Sequence, residues 1–586
     1  MNRIKTALEL QVKFKQWITY RTRRSLPAVL FIGVFIFLGL SMITDMSGTT
    51  DEKYHLTRGI MYLNTGDPRI NQHHPMLFNT YYAIPTLFDD DLVIPSETDP
   101  LWVNAQKDSI SDELVKMNGG KVLFSQNVLF GPRALAIMTS AFLLYVIFRL
   151  VERSYGYKIS LILLAFLSLS PTVIAHSALV TTDAPAMYVI FISTLVSAEL
   201  IKDFPNKWDR TKTVLLVSVL TTALLTKYTA VFSVSLILII FLLKNWRVTK
   251  GGFKKKISLT IKHLYGLLFP IFLLIFTAYS FQIGSMFDMT YGNQAKVFAN
   301  VDGFRIFYQV LPFLERPLKF LFYHIPLPFP QYINGFYENV FKHNIFGHDS
   351  FLLGQFSKRG WVYYFPVTFI VKEYIGVVIV VLTGLITYLY KYLSRSRNSH
   401  KNSIINRKTV MVAVPILLAF LSLSSSINLG IRHFLPVYPF LFLGVLIWLS
   451  GQLNPKLFNI IIIILITGNI IALARQYPYY LEYFNVITGE PGEGYRFVRD
   501  SNFDWEQNEI RIQRYITDNP DLIITRDPMN FIYSDAIVIS KEDLYPKPSK
   551  VNSEILELQR LYEIGNDSVK IGRTHLVIFN DRPVDR

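Results

Sequence analysis

The stretch DEKYHLTRGIMYLNTGDPRINQHHPMLFN, residues 51–79, sets two adjacent carboxylates, Asp51 and Glu52, ahead of His55, Asn71, His73 and His74. Carboxylates and imidazoles trade protons with bound groups, so a fold that gathers them around a substrate has the parts of a general acid–base site. The run starts where the first long apolar segment stops, at the mouth of a membrane helix. The competing reading is a solvated loop beside the membrane whose charges face water.

A second polar turn, PTVIAHSALVTTDAP at 171–185, holds His176 and Asp183 between two apolar runs. Thr182 and Asp183 are ordinary helix N-cap residues and Pro185 suits a first turn, so capping alone would account for Asp183. Its functional reading is a second acid facing Asp51, orienting an acceptor or helping to hold a cation. Four cations, Arg133, Lys227, Lys372 and Arg432, stand at ends of apolar runs. A cation at the centre of a membrane helix costs about 2.5–3.5 kcal/mol, so such residues face a partner or a wet cavity, or snorkel to the interface. Lys372 has Glu373 beside it as a local partner. Several cations converging on the face that carries the acids would suit a phosphate, which forms strong charge-assisted bonds and takes Arg bidentately.

The elements that must position these residues are membrane helices. The chain has 586 residues, 51% hydrophobic and 15% aromatic, too apolar for a soluble protein of this length. About eleven apolar runs approach the length needed to cross a bilayer: 26–45, 133–151, 158–175, 184–201, 213–226, 228–243, 264–281, 363–390, 409–427, 433–450 and 457–474. The first has a basic flank like a signal peptide, but it is long enough to span and shows no cleavage site, so it reads as a retained anchor. The net charge of +16 comes from basic clusters beside these runs, which excludes nucleic acid as the partner and indicates a bilayer. There is no Cys, which excludes disulfides and thiolate chemistry.

Arg21, Arg23 and Arg24, then Lys244 to Lys262, then Lys391 to Lys408 mark three cytoplasmic segments by the positive-inside rule. Even numbers of crossings separate them, so the N-terminus is inside and 46–132, 176–183, 282–362, 427–432 and the tail after 475 are outside. Every unusual polar constellation falls in one of these outer segments. The expected organisation is a transmembrane domain, 1–475, followed by a small extracytoplasmic α/β domain, 476–586. In the latter 521–525, 536–540 and 575–579 read as buried strands, with 506–518 and 553–563 as helices. The insertion 89–127 reads as a surface loop. DSNFDWEQN, 500–508, reads as a helix cap with Trp505 packed beneath, or as an acceptor contact.

DEKYHLTRGIMYLNTGD followed by HHPML, then AHSALVTTDAP, LTKYTA, YYFPVTFIVKE, GIRHFLPVYPF and YFNVITGEPGEGYRFVRDSNFDWEQN together resemble bacterial relatives of the protein O-mannosyltransferases. These are GT-C integral-membrane glycosyltransferases, and the resemblance runs over 45–515. It implies a sugar donor carried on a polyprenyl phosphate, inverting transfer, and an acid of the first outer loop acting as base. That position matches Asp51, with Glu52 beside it. The same likeness makes Arg133, Lys227 and Arg432 candidates for the donor phosphate, with Lys372 as a helper. His74, His176 and Asp183 would orient the acceptor or shape the pocket. The chain departs from the mannosyltransferases after its His-Pro pair, where Met76 and Asn79 replace a Pro and a Lys.

The expectation is thus a polytopic α-helical GT-C enzyme of the cytoplasmic membrane that moves a sugar to a hydroxyl of a protein, lipid or glycan acceptor on the outer face. The acids are compatible with a divalent cation, but their spacing forms no diagnostic ligand set, so no cofactor is assigned. The rival readings are a transporter of lipid-linked sugars and a non-catalytic assembly subunit. A transporter would favour Gly- or Pro-broken helices in matching halves, and the sequence shows no such pair.

Overall fold

The computed structural model describes residues 25–71, 73–284, 312–314, 316–317, 320, 325–393, 405–564 and 568–580. Arg21, Arg23, Arg24 and most of the basic cluster after Lys391 lie outside them. Every predicted apolar run is helical, and the chain is a multi-pass membrane protein with a small sheet near its C-terminus. Seven helices among the described residues are long and apolar enough to cross a bilayer, or 8 if one bent pair counts as a span.

Two predicted spans are not straight. Tyr157–Leu169 and Pro171–Ser177 meet at 69°. The run 363–390 is divided into Tyr364–Lys372 and Ile375–Leu393, with Glu373 extended between them. Polar insertion accounts for this break. Asn485 donates its side-chain amide to the carbonyls of Ile370, 2.5 Å, and Glu373, 2.7 Å, while the Glu373 carboxylate accepts from Ser170 Oγ at 2.8 Å. Lys372 turns away from Glu373 and donates to the carbonyls of Leu481 and Asn502.

The Thr50–Thr65 helix carries the first acids. Thr49 and Glu52 form a reciprocal capping box, and Asp51 and Glu52 in the first turn complement the positive helix end. Gly59 lets this helix cross Met76–Tyr82 closely, since a Cβ there would stand 2.0 Å from the Asn79 carbonyl oxygen. The insertion after Asp89 is more than a surface loop. Pro100–Val103 and Lys107–Met117 are helical, and Trp102 and Ile110 are buried against Met61 and Ile70.

In the tail, Ile524–Thr525 runs parallel to Ala536–Ser540, which pairs antiparallel with His575–Phe579. A further strand, Ser568–Ile571, completes the four-stranded sheet. Ile537 and Ile539 face the Ser553–Glu563 helix, whereas Ala536 and Val538 face Glu509–Asp518. Both faces are therefore covered, which is why the central strands read as unbroken apolar runs.

Candidate active site

The polar motifs between the apolar runs meet at one end of the helix bundle. Asp51, in the first turn of its helix, accepts from Arg432 Nη1, and the same nitrogen lies 3.9 Å from Asp183 Oδ2. Lys227 Nζ donates to the other Asp183 oxygen. Two acids and two cations thus alternate as Asp51, Arg432, Asp183 and Lys227, each from a different helix junction. The Arg432 guanidinium stacks over Trp505 at 4.2 Å. His55, one turn after Asp51 and so on its face, packs on His74 at 4.6 Å between ring centroids. Its Nδ1 is 2.7 Å from Asn79 Oδ1, and His74 Nδ1 is 3.3 Å from Thr182 Oγ1.

Asp183 does not cap its helix. Thr182 occupies the N-cap without a side-chain bond, and the Asp183 carboxylate is committed to the two cations. A cavity of about 300 Å³ opens beside Lys227, His74 and His433, and its far wall is apolar, with Phe232, Leu418 and Leu421. Burial pushes the Asp51 carboxyl up, but the adjacent Arg432 pulls harder and holds it below the ordinary carboxylate value. Burial carries the His55 imidazole down to about 4 and His74 well below its usual value, so both are neutral at pH 7. The ionised Asp51 carboxylate and the two neutral imidazoles are therefore all in their proton-accepting forms at neutral pH.

Four expected site residues stand outside this set of charges. Glu52 and Arg133 are 0% exposed and paired through Arg133 Nε to Glu52 Oε1 at 2.9 Å and Nη2 to Oε2 at 2.6 Å. The remaining Arg133 donors go to the carbonyls of Met46 and Ser47 at 2.7 Å, and Glu52 also accepts from the backbone N–H groups of Thr49 and Val180. Neither has a free face for substrate, so the pair fixes the floor beneath Asp51. Lys372 is buried on backbone carbonyls and over the Phe484 ring at 4.4 Å, away from the acids. His176 is enclosed near Trp505, 6.4 Å between centroids, with Nδ1 unbonded.

The DSNFDWEQN segment makes no side-chain capping bond to the Glu509–Asp518 helix and braces the site instead. Asp500 sits at φ 59°, a left-handed conformation that turns the chain so that Asn502 Oδ1 accepts from the Ile431 N–H at 2.9 Å. Ser501 Oγ donates to the Leu429 carbonyl, and Gly430 permits the approach, since a Cβ there would lie 2.1 Å from Ser501 Oγ. Ser47 N donates to the Gln507 carbonyl and Thr50 N to that of Trp505, so the tail braces both Asp51 and Arg432. Among the described residues, no group of three or more His, Asp or Glu is arranged to hold a metal ion.

Residues 118–278 match the family model described as dolichyl-phosphate-mannose-protein mannosyltransferase, a segment that includes Arg133, His176, Asp183 and Lys227. No curated protein matches the chain. A solved structure titled as the crystal structure of ArnT from Cupriavidus metallidurans bound to undecaprenyl phosphate is 12% identical and aligns with TM-score 0.40, covering 80% of this chain and 69% of that one. Over residues 118–278 the chain is thus similar to the dolichyl-phosphate-mannose-protein mannosyltransferases, the family whose likeness its ordered motifs carry.

Proposed function

We propose that the protein is an inverting glycosyltransferase that moves a sugar from a polyprenyl-phosphate donor to an acceptor hydroxyl at the outer face of the cytoplasmic membrane. The observation that carries this reading is the alternating set Asp51, Arg432, Asp183 and Lys227, with Lys227 lining a cavity that also takes Phe232, Leu418 and Leu421 into its wall. A polyprenyl phosphate has the same division, with an anionic head and an apolar tail. The similarity of 118–278 to the mannosyltransferase family supports a sugar as the transferred group.

In the reaction, the acceptor oxygen forms its bond to the anomeric carbon as Asp51 takes the hydroxyl proton. The bond from that carbon to the phosphate oxygen breaks, and its electron pair leaves with the polyprenyl phosphate. Attack from the face opposite the leaving group inverts the anomeric centre. Lys227 and Arg432 meet the charge that develops on the phosphate, and fixed cations in a site shielded from water do this better than mobile solvent. Arg432 is shared between Asp51 and the phosphate. When it engages the donor it loosens its hold on Asp51, and the carboxylate becomes a stronger base at the moment the acceptor needs one.

The test is donor class. Purified protein with an acceptor extract should turn over a polyprenyl-phosphate sugar and leave a nucleotide sugar untouched. Arg432→Ala should lower kcat/KM with the lipid-linked donor by at least about tenfold. Equal turnover of a soluble nucleotide sugar overturns the proposal.

We assign 1–475 to the catalytic membrane domain and 476–586 to an outer α/β domain, with the active site on the outer side. Labelling tests this orientation, since the chain has no Cys to give background. Ser553 and Lys254 are both exposed. An impermeant maleimide applied to intact cells should modify Ser553→Cys and spare Lys254→Cys, and the reverse pattern inverts the assignment.

A further inference from the structure

Arg58 lies on the Thr50–Thr65 helix two turns beyond Asp51, three residues after His55, and is 2% exposed. Its Nε has no hydrogen-bond partner, and no carboxylate among the described residues forms an ion pair with it. Three other buried cations among the described residues are paired with acids. Arg432 has Asp51, Lys227 has Asp183, and Arg133 has Glu52. Glu338, a buried acid, is 3.3 Å from both Lys107 Nζ and His73 Nε2.

Asp108 and Asp51 attract Arg58 through space without pairing with it. Its field helps hold down the imidazoles of His73 and His74, and Lys107 feels the same repulsion. A buried guanidinium with no counter-charge is strongly destabilising, because desolvation is not offset by attraction. An Arg in such a place is compensated when an anion arrives from outside, and its planar fork matches the two oxygens of a phosphate or carboxylate.

Building on the glycosyl-transfer reading, we propose that Arg58, one turn after His55 on the helix that carries Asp51, is the seat of a substrate oxyanion, a phosphate or carboxylate group. The group has two sources, the lipid phosphate of the donor or an anionic substituent of the acceptor. His74 connects them in space, since it lines the cavity with Lys227 and also packs on His55, one turn before Arg58.

Binding of two sugar-free probes to the purified full chain in detergent tests this: inorganic phosphate and a polyprenyl monophosphate. At least one should bind the wild type, and Arg58→Gln should weaken that binding by about 10–100-fold, with Arg58→Lys between the two. Loss confined to the polyprenyl probe assigns the seat to the donor. Loss with inorganic phosphate alone assigns it to an anion on the acceptor, and loss with both assigns an open phosphate seat. If Arg58→Gln fails to fold, Arg58→Lys carries the comparison. No binding of either probe to the wild type, or unchanged binding to both variants, overturns the proposal. The probes carry no sugar, so their binding is read without turnover. Absent turnover with Arg58-dependent binding would sink the transfer reading and leave this one standing.

Discussion

Asp51→Asn is expected to lower transfer by about 10²–10⁴-fold, the range lost when a positioned general base is removed. The amide keeps the size of the carboxylate and a contact to Arg432, so the pocket retains its shape. The structure also sets the stability cost. Because Asp51 is the partner of an Arg432 side chain that is only 9% exposed, the substitution should cost about 1–3 kcal/mol, more than an unpaired surface acid would. Asp183 lies 3.9 Å from the same guanidinium and limits that loss. Asp183→Asn is the informative contrast. It leaves Lys227 without its partner and should lower the melting temperature more than Asp51→Asn while reducing turnover less. Residual transfer by Asp51→Asn within about tenfold of wild type would move the base to Asp183, and similar losses for both variants would mean that the four charges act as one structural unit.

The apolar helices were legible from hydropathy. Apolar runs and basic clusters depend on the bilayer, which imposes length and asymmetry on each segment independently of its neighbours. Convergence of Asp51, Asp183, Lys227 and Arg432 was legible for the same reason, since parity alone places their segments on one side. Division of labour among the charges was not. Glu52 adjoins Asp51 in sequence, yet successive residues on a helix point about 100° apart. One carboxylate therefore faces the chamber and the other the Arg133 side chain. The break at Glu373 was hidden because the polar groups that open the helix, Ser170 and Asn485, lie far away in sequence. Arg58 passed as one charge in a polar loop, since its lack of a partner is a property of the fold. The bracing by Ser501, Asn502 and Trp505 had a weak signal in the density of polar and aromatic residues after the last span.

Breaking the pair beneath the site gives the second large effect. Glu52→Gln and Arg133→Gln should each destabilise the protein by about 3–5 kcal/mol, because each strands a charge in an interior with 0% exposure on both sides. Glu52 and Arg133 also satisfy backbone groups at Thr49, Val180, Met46 and Ser47, so an apolar replacement of both would orphan these in place of the charges. The double variant Glu52→Gln with Arg133→Gln removes both charges and keeps amides that can bond those groups. Its loss should be clearly smaller than the sum of the singles. Acid stability follows from the same geometry. Burial raises the Glu52 carboxyl but Arg133 pulls it further down, to a folded value below its ordinary 4.5. The stabilisation is therefore present in full above about pH 4.5 and is lost as pH falls through the lower, folded value. Melting temperatures of wild type and Glu52→Gln should lie far apart at pH 7 and draw together below pH 4. Parallel curves across that range, or a double variant as unstable as the sum of the singles, would show that Glu52 and Arg133 contribute through packing and hydrogen bonds and not through their charges.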